Sequence, residues 1–235
     1  MLVLDAPVGA AYHLVTSLTT AIHPVSGQLS TSAAIILFTL GLRTVLLPLA
    51  VRQARAERTR LRLQPRVDEL RRKHGNDPRR QHEAISELYA VEDAKLLGGC
   101  LPALAQWPFF MVMYRLFVSA SIAGHQNALL TSTLLGAPLG QSVMGTLSVY
   151  GLFTAPALVC LGLLALIAAV AWRSSRRAGR SAPAGAMGLL TRTMPYGTVV
   201  VALFVPLAAA LYLLTTTAWT ATERALLHRG LAPAR

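Results

Sequence analysis

At 235 residues, with 54% hydrophobic against 14% charged side chains and a formal net charge of +12, the chain is too apolar for an ordinary soluble domain, and its apolar residues stand in long blocks. Those blocks exclude a basic soluble DNA binder and make the arginine excess a question of membrane topology. The two cysteines, Cys100 and Cys160, lie in separate apolar segments without Cys-x-x-Cys spacing, so neither a disulfide nor a zinc site is indicated.

The first twenty residues have no basic n-region, and Asp5 is their only formal charge; no cleaved signal peptide is expected. Within 8–29, an interrupted apolar pattern (Val8, Tyr12, Val15, Leu18, Ile22) predicts an amphipathic helix on the outer membrane surface. Residues 1–29 are therefore taken as an extracytoplasmic segment ahead of a core at 30–228. The first apolar block fills about 30–51, close to the roughly 20 residues a helix needs to cross the hydrocarbon. Residues 52–96 are rich in arginine. Acid-to-base pairs (Asp68 with Arg72, Glu69 with Lys73) and a central breaker, His74-Gly75-Asn76-Asp77-Pro78, predict a cytoplasmic helical hairpin; a solvated charged linker is the alternative.

Further apolar blocks fill about 98–118, 152–172 and 188–226. Lys and Arg are absent from 116–172 and return at 173–192 and near the C-terminus. By the positive-inside rule the N-terminus is outside, 52–96 inside, 119–151 outside, and both 173–187 and the short tail 229–235 inside. An inside tail requires an even number of crossings after 192, so the last block should divide into 188–206 and 207–226 near Val205-Pro206, where proline interrupts the backbone ladder. The expectation is an all-α membrane protein with five transmembrane helices, N-out and C-in. One long tilted helix kinked at Pro206, with the tail outside, is the competing arrangement. The Ala/Gly/Arg/Ser stretch 174–186 suits a flexible loop.

Chemistry is sparse. His82-Glu83 opens like a zincin helix, but Ser86 stands where the second imidazole would be. The six histidines fall outside the predicted spans, no Asp or Lys lies inside one, and P-loop, Gly-x-Gly-x-x-Gly and Gly-x-Ser-x-Gly patterns are absent. Neither an enzyme nor a metal or other cofactor is expected.

Arg43 is the unusual residue. A permanent charge inside an apolar helix costs about 2.5–3.5 kcal/mol on insertion scales unless water or a partner reaches it. Arg43 stands about 10 Å from the inner end of its span at 1.5 Å per residue, so snorkelling could solvate it. A polar cavity is the other solution: Ser32, Thr39 and Arg43 share a helix face at i, i+7 and i+11. After Asp93 the only acid is Glu223, which leaves Arg43 at most one internal partner from that part of the chain. The last helix carries its own polar-aromatic face, Tyr212, Thr216, Trp219 and Glu223, for which interfacial anchoring and helix packing are equally good accounts.

RTVLLPLAVRQ, LQPRVDEL and GGCLPALAQWPFFMVMYRLF resemble, in order and spacing, the YidC/Oxa/Alb-type membrane protein insertases over most of 30–118. The matching positions are Arg43, Pro48-Leu49, Gln53, Leu63-Gln64-Pro65, Gly99-Cys100-Leu101-Pro102 and Gln106-Trp107-Pro108. Met194-Pro195, Pro206 and Leu211-Tyr212 continue the similarity, while Leu207-Ala208 and Glu223 depart from it, and the cytoplasmic hairpin lacks methionines. The resemblance implies five core helices, N-out and C-in, in a bacterial cytoplasmic membrane. It also implies a hydrophilic groove open to cytoplasm and lipid. Arg43 would be the groove charge, with Gln106, Tyr212 and Thr216, and Thr39 on the Arg43 face, along the path of a substrate helix. Nascent membrane proteins and the lipid bilayer are the implied partners, a ribosome and a Sec-type translocon are candidates, and DNA is not. A small transporter or channel subunit using Arg43 for an anionic solute, and an assembly factor that inserts nothing, are the rival functions.

Overall fold

The computed structural model describes residues 5–75, 77–91, 111–122, 124–180 and 186–229. The chain divides into two compact units, Met1–Thr44 with Phe109–Leu226, and Val45–Pro108 with Leu227–Arg235. Most described residues are helical.

In the first unit, α1 (Asp5–Ser26) buries Val8, Ala11 and Val15, while Tyr12, Leu18 and Ile22 of the predicted stripe pack part-buried against the core. A short 3-10 turn, Gly27–Leu29, leads into α2 (Ser30–Lys73), of which residues to Thr44 belong to this unit. Helix α4 covers 111–118. The 119–151 segment is folded: two antiparallel ladders of two residues each (Ser121–Ile122 with His125–Gln126, Thr133–Leu134 with Ala137–Pro138) flank the single turn α5 (Ala128–Thr131), and α6 (Val143–Tyr150) follows. These ladders qualify the all-α expectation. They and the two short helices depend on side-chain caps and contacts remote in sequence, which hydropathy does not register.

α7 (Ala155–Arg180) continues beyond the predicted span into the stretch read as a flexible loop. Its extension is held by bonds to the next helix: Ser175 Oγ donates to the Arg192 carbonyl at 2.7 Å and Arg192 Nη2 to the Gly179 carbonyl at 3.1 Å. Arg176 also stacks over Trp172 at 4.5 Å, and alanine and arginine favour helix here. α8 (Ala186–Thr193), a 3-10 turn and α9 (Gly197–Phe204) pack back along α7. The chain then turns at Val205, extended at ψ 155°, and α10 (Leu207–Arg229) begins. The break lies at the proline, where the ring removes a donor and disfavours helix in the residue before it.

The core joins Ile35, Leu116, Phe117, Leu129, Leu139, Ile167 and Leu207. Among the described residues, two helical stretches, Asp5–Ala56 and Ala155–Gly179, are long and apolar enough to cross a membrane, yet only 17% and 28% of their most apolar windows are buried. Outward-facing Leu37, Leu158, Leu166, Val200 and Phe204 would be costly in water at about 25 cal/mol per Å², and lipid removes that cost.

In the second unit, α2 passes Pro48 and Pro65 without ending, so the predicted first span and the first arm of the predicted hairpin are parts of one continuous helix. The turn falls at the breaker: α2 stops at Lys73 and α3 spans Pro78–Val91. Asp77 Oδ1 accepts from the backbone N–H groups of Arg79 and Arg80 at 3.1 and 3.2 Å, capping α3. Leu63 and Val67 of α2 and Tyr89 of α3 form a small core, with Ile85 and Leu88 beside it. Asp68 pairs with Arg71 at i, i+3 and 3.6 Å rather than with Arg72; both are exposed, and such a pair is worth about 0–1 kcal/mol.

A candidate groove around Arg43

α2 brings Arg43 to α10, where the guanidinium acts electrostatically on the Tyr212 hydroxyl. Helical side chains lean toward the N-terminal end of their helix. For Arg43 that direction leads away from Arg52 and the inner end of the predicted span, which disfavours snorkelling. The residue is half-buried. Among the described residues Arg43 forms no hydrogen bond or ion pair. The late acid does not neutralise it: Glu223 Oε2 accepts from the Trp219 indole N–H at 2.9 Å on its own helix. A charge left in this state needs water or a visiting anion.

The hydroxyls nearby differ in how they are satisfied. Threonines in apolar helices ordinarily donate to the carbonyl one turn back, as Thr215, Thr217, Thr220 and Thr222 do on α10. Thr39 does so on α2, donating to the Ile35 carbonyl at 2.7 Å, and is fully buried. Thr216 does not. Its Oγ1 is buried without a well-formed hydrogen bond, although it neighbours the Tyr212 hydroxyl. Tyr212 leans on Phe117 of α4, ring centroids 5.9 Å apart and planes tilted by 35°, which fixes its position from the other side. Ser32 Oγ, farther along the Arg43 face, is buried and also unpaired.

The structure thus places Arg43 within electrostatic range of Tyr212, which neighbours Thr216, and buries Thr39 one turn before Arg43 on α2. Gln106, and with it the start of the second predicted span, lies outside the described residues. Phe117 was not singled out by sequence, because an aromatic at the end of an apolar run carries no signal of its partner. A separate cavity of ≈ 70 Å³, lined by Ile167, Ser174, Thr198 and Thr217 among others, lies between α7 and its neighbours and involves none of the predicted site residues.

Two seams close the unit at its ends. At one, the Leu207 and Ala208 N–H groups donate to the Gln141 and Leu139 carbonyls at 2.9 and 3.0 Å, and Ser142 bridges Pro206. Thr31 Oγ1 donates to Ser132 Oγ at 2.9 Å, and Asp5 pairs with Arg115 at 2.7 Å. Asn127 is buried there: its Nδ2 donates to the carbonyls of Leu116 and Ser119, and its Oδ1 accepts from Leu129 N–H. At the other, Arg177 of α7 donates to the Ala221 carbonyl of α10 at 3.0 Å.

Apolar helices with outward-facing hydrocarbon side chains and an unneutralised arginine beside hydroxyl groups define a helical membrane protein with a polar site at its helix interface. Residues 21–233 match the family of the 60Kd inner membrane protein, and the chain belongs to that family of bacterial inner-membrane proteins. It is similar to proteins named membrane protein insertase YidC. That of Magnetococcus marinus is 40% identical over 90 residues, covering 38% of this chain and 16% of the relative. That of Allorhizobium ampelinum is 29% identical over 164 residues, covering 69% and 26%. That of Mycolicibacterium paratuberculosis is 30% identical over 226 residues, covering 80% and 64%. The chain therefore spans only part of the length of these relatives.

Proposed function

We propose that the chain acts as a membrane protein insertase in which Arg43, unpaired and facing Tyr212 and Thr216, is the charge of a hydrophilic groove. The observation that carries this reading is the missing counter-charge: Glu223 is engaged by Trp219, and the buried Thr216 hydroxyl has a hydrogen-bonding capacity its neighbours have used up. The names of the similar proteins favour the same role.

Five spans with N outside and C inside fit the two seams. The turn at 205–206 shares an end with 119–151, and the far parts of α7 and α10 meet through Arg177 and Ala221. In that arrangement 188–206 and 207–226 each cross once. A nascent membrane protein would enter from the cytoplasm, its short and often acidic outward-bound tail held near Arg43. Its apolar helix then moves into lipid, and that transfer is the driving force. No covalent step is required, so the activity is a lowering of the barrier to insertion and not enzymatic turnover.

The test is replacement. Cells depleted of their own insertase are supplied with this chain, and insertion of a small dependent membrane protein is followed with crosslinking from Tyr212 and Thr216. Rescue with crosslinks to the nascent span supports the proposal. Failure of both at normal protein levels rejects it.

A further inference from the structure

The 119–151 segment joins two predicted spans, yet from 116 to 172 the chain contains no Asp, Glu, Lys or Arg. A connecting segment of this length washed by water would ordinarily carry charge, since those residues dominate exposed positions. Instead its surface is apolar in one place. α6 turns Val143 and Thr146 inward toward α7, where the Cys160 thiol meets Thr146 at 3.7 Å. Its outer side carries Met144, Val149 and Tyr150, and the chain continues into Leu152 and Phe153, the last 90% exposed. Gly151 ends the helix at φ +79°, a conformation that favours glycine. Two residues after Phe153, α7 begins, and its exposed Leu158 and Leu166 lie on a stretch apolar enough to cross a membrane. The apolar patch is therefore continuous in sequence with a lipid-facing surface.

We infer that α6 and residues 151–153 lie in the bilayer at the interfacial zone, so that this end of the protein is seated in lipid instead of standing in water. Lipid is the occupant that an uncharged patch adjoining a spanning helix fits. Tyr150 supplies the amphipathic ring that favours the headgroup level, and Val149, Leu152 and Phe153 supply the side chains that favour the acyl boundary. The inference rests on α7 crossing the bilayer but not on the insertase activity.

The experiment uses the full chain in vesicles of phosphatidylethanolamine and phosphatidylglycerol. Nitroxide labels are placed by Val149→Cys, Phe153→Cys and Leu166→Cys, with the unsubstituted chain as background for Cys100 and Cys160. Collision with molecular oxygen is compared with collision with a water-soluble nickel chelate. Oxygen exceeding chelate several-fold at Val149, Phe153 and Leu166 is the expected result. Chelate exceeding oxygen at Val149 or Phe153, with Leu166 still in lipid, overturns the inference and leaves the spanning helix intact. Protection of Val149 and Phe153 from both reagents, as a protein partner or second copy would give, also overturns it. A Leu166 label that favours the chelate removes its premise.

Discussion

Arg177 of α7 donates to the Ala221 carbonyl of α10 across 3.0 Å, so the C-terminal ends of two helices lie together although forty-four positions of chain separate them. For α10 to arrive there from the turn at 205–206, it must run the length of the unit. On this basis we propose the N-out, C-in topology that the arginine placement predicts. Cysteine probes at Gly27 and Gln126 should react from outside, and probes at Gly75, Gly179 and Arg235 only after the membrane is opened. An externally reactive Arg235→Cys with a protected Gly179→Cys would reject the five-span arrangement.

Arg43→Ala should leave the protein folded and abundant, because removing an uncompensated charge from an apolar helix relieves about 2.5–3.5 kcal/mol. Insertion should nevertheless fall, most for substrates with acidic tails, and neutralising those tails should narrow the gap. Arg43→Lys should keep part of the activity, since lysine supplies a charge without the fork that grips a carboxylate at two points. Paired insertion assays normalised to protein level check this; full activity of the alanine variant on every substrate would dismiss the groove.

Asn127→Ala should destabilise the first unit by roughly 3 kcal/mol, since it strips bonds from two carbonyls and one N–H at a buried position. Thermal unfolding in detergent, followed by loss of the monodisperse peak, provides the measurement. A variant as stable as the parent would mean that water replaces the amide.

Among the described residues, the hairpin of the second unit has a small buried core of Leu63, Val67 and Tyr89, with Ile85 and Leu88 beside it. Its amides should exchange faster than those of α7, since few buried contacts resist opening. Tyr89→Ala should abolish the remaining protection in α3, an aromatic truncation costing about 3 kcal/mol or more, while exchange in α7 is unchanged. Hydrogen exchange with mass readout distinguishes this from a hairpin packed as firmly as the spans.

Sequence revealed what hydrophobicity, charge and breakers encode. The apolar stretches, the turn at 74–78 and the break at Pro206 were all legible, because glycine, proline and runs of leucine act locally. The site was half legible: Arg43 stands out as a charge among apolar residues, and the α10 face follows from helical spacing. Which hydroxyl forgoes the carbonyl one turn back was not legible, since Thr215, Thr216 and Thr217 look alike until the packing around each is known. Phe117 against Tyr212 and the Asn127 cap join residues far apart in sequence, and no periodicity announces them. The span and first hairpin arm merged into one helix because prolines at 48 and 65 did not stop α2, and α7 outran its apolar segment because Ser175 and Arg192 extend it.

The hydrogen bonds that join Leu139 and Gln141 to Leu207 and Ala208 run between main-chain groups. Every residue type offers a carbonyl, and every type but proline offers the amide, so this clasp is written in chain geometry and is blind to spelling at the acceptor positions. Exchanging the side chains of Leu139 or Gln141 leaves the clasp's own bonds in place, whereas proline at 207 or 208 deletes a strand of it outright. An alanine scan here registers the core that Leu139 and Leu207 also fill, while the main-chain bonds themselves escape it.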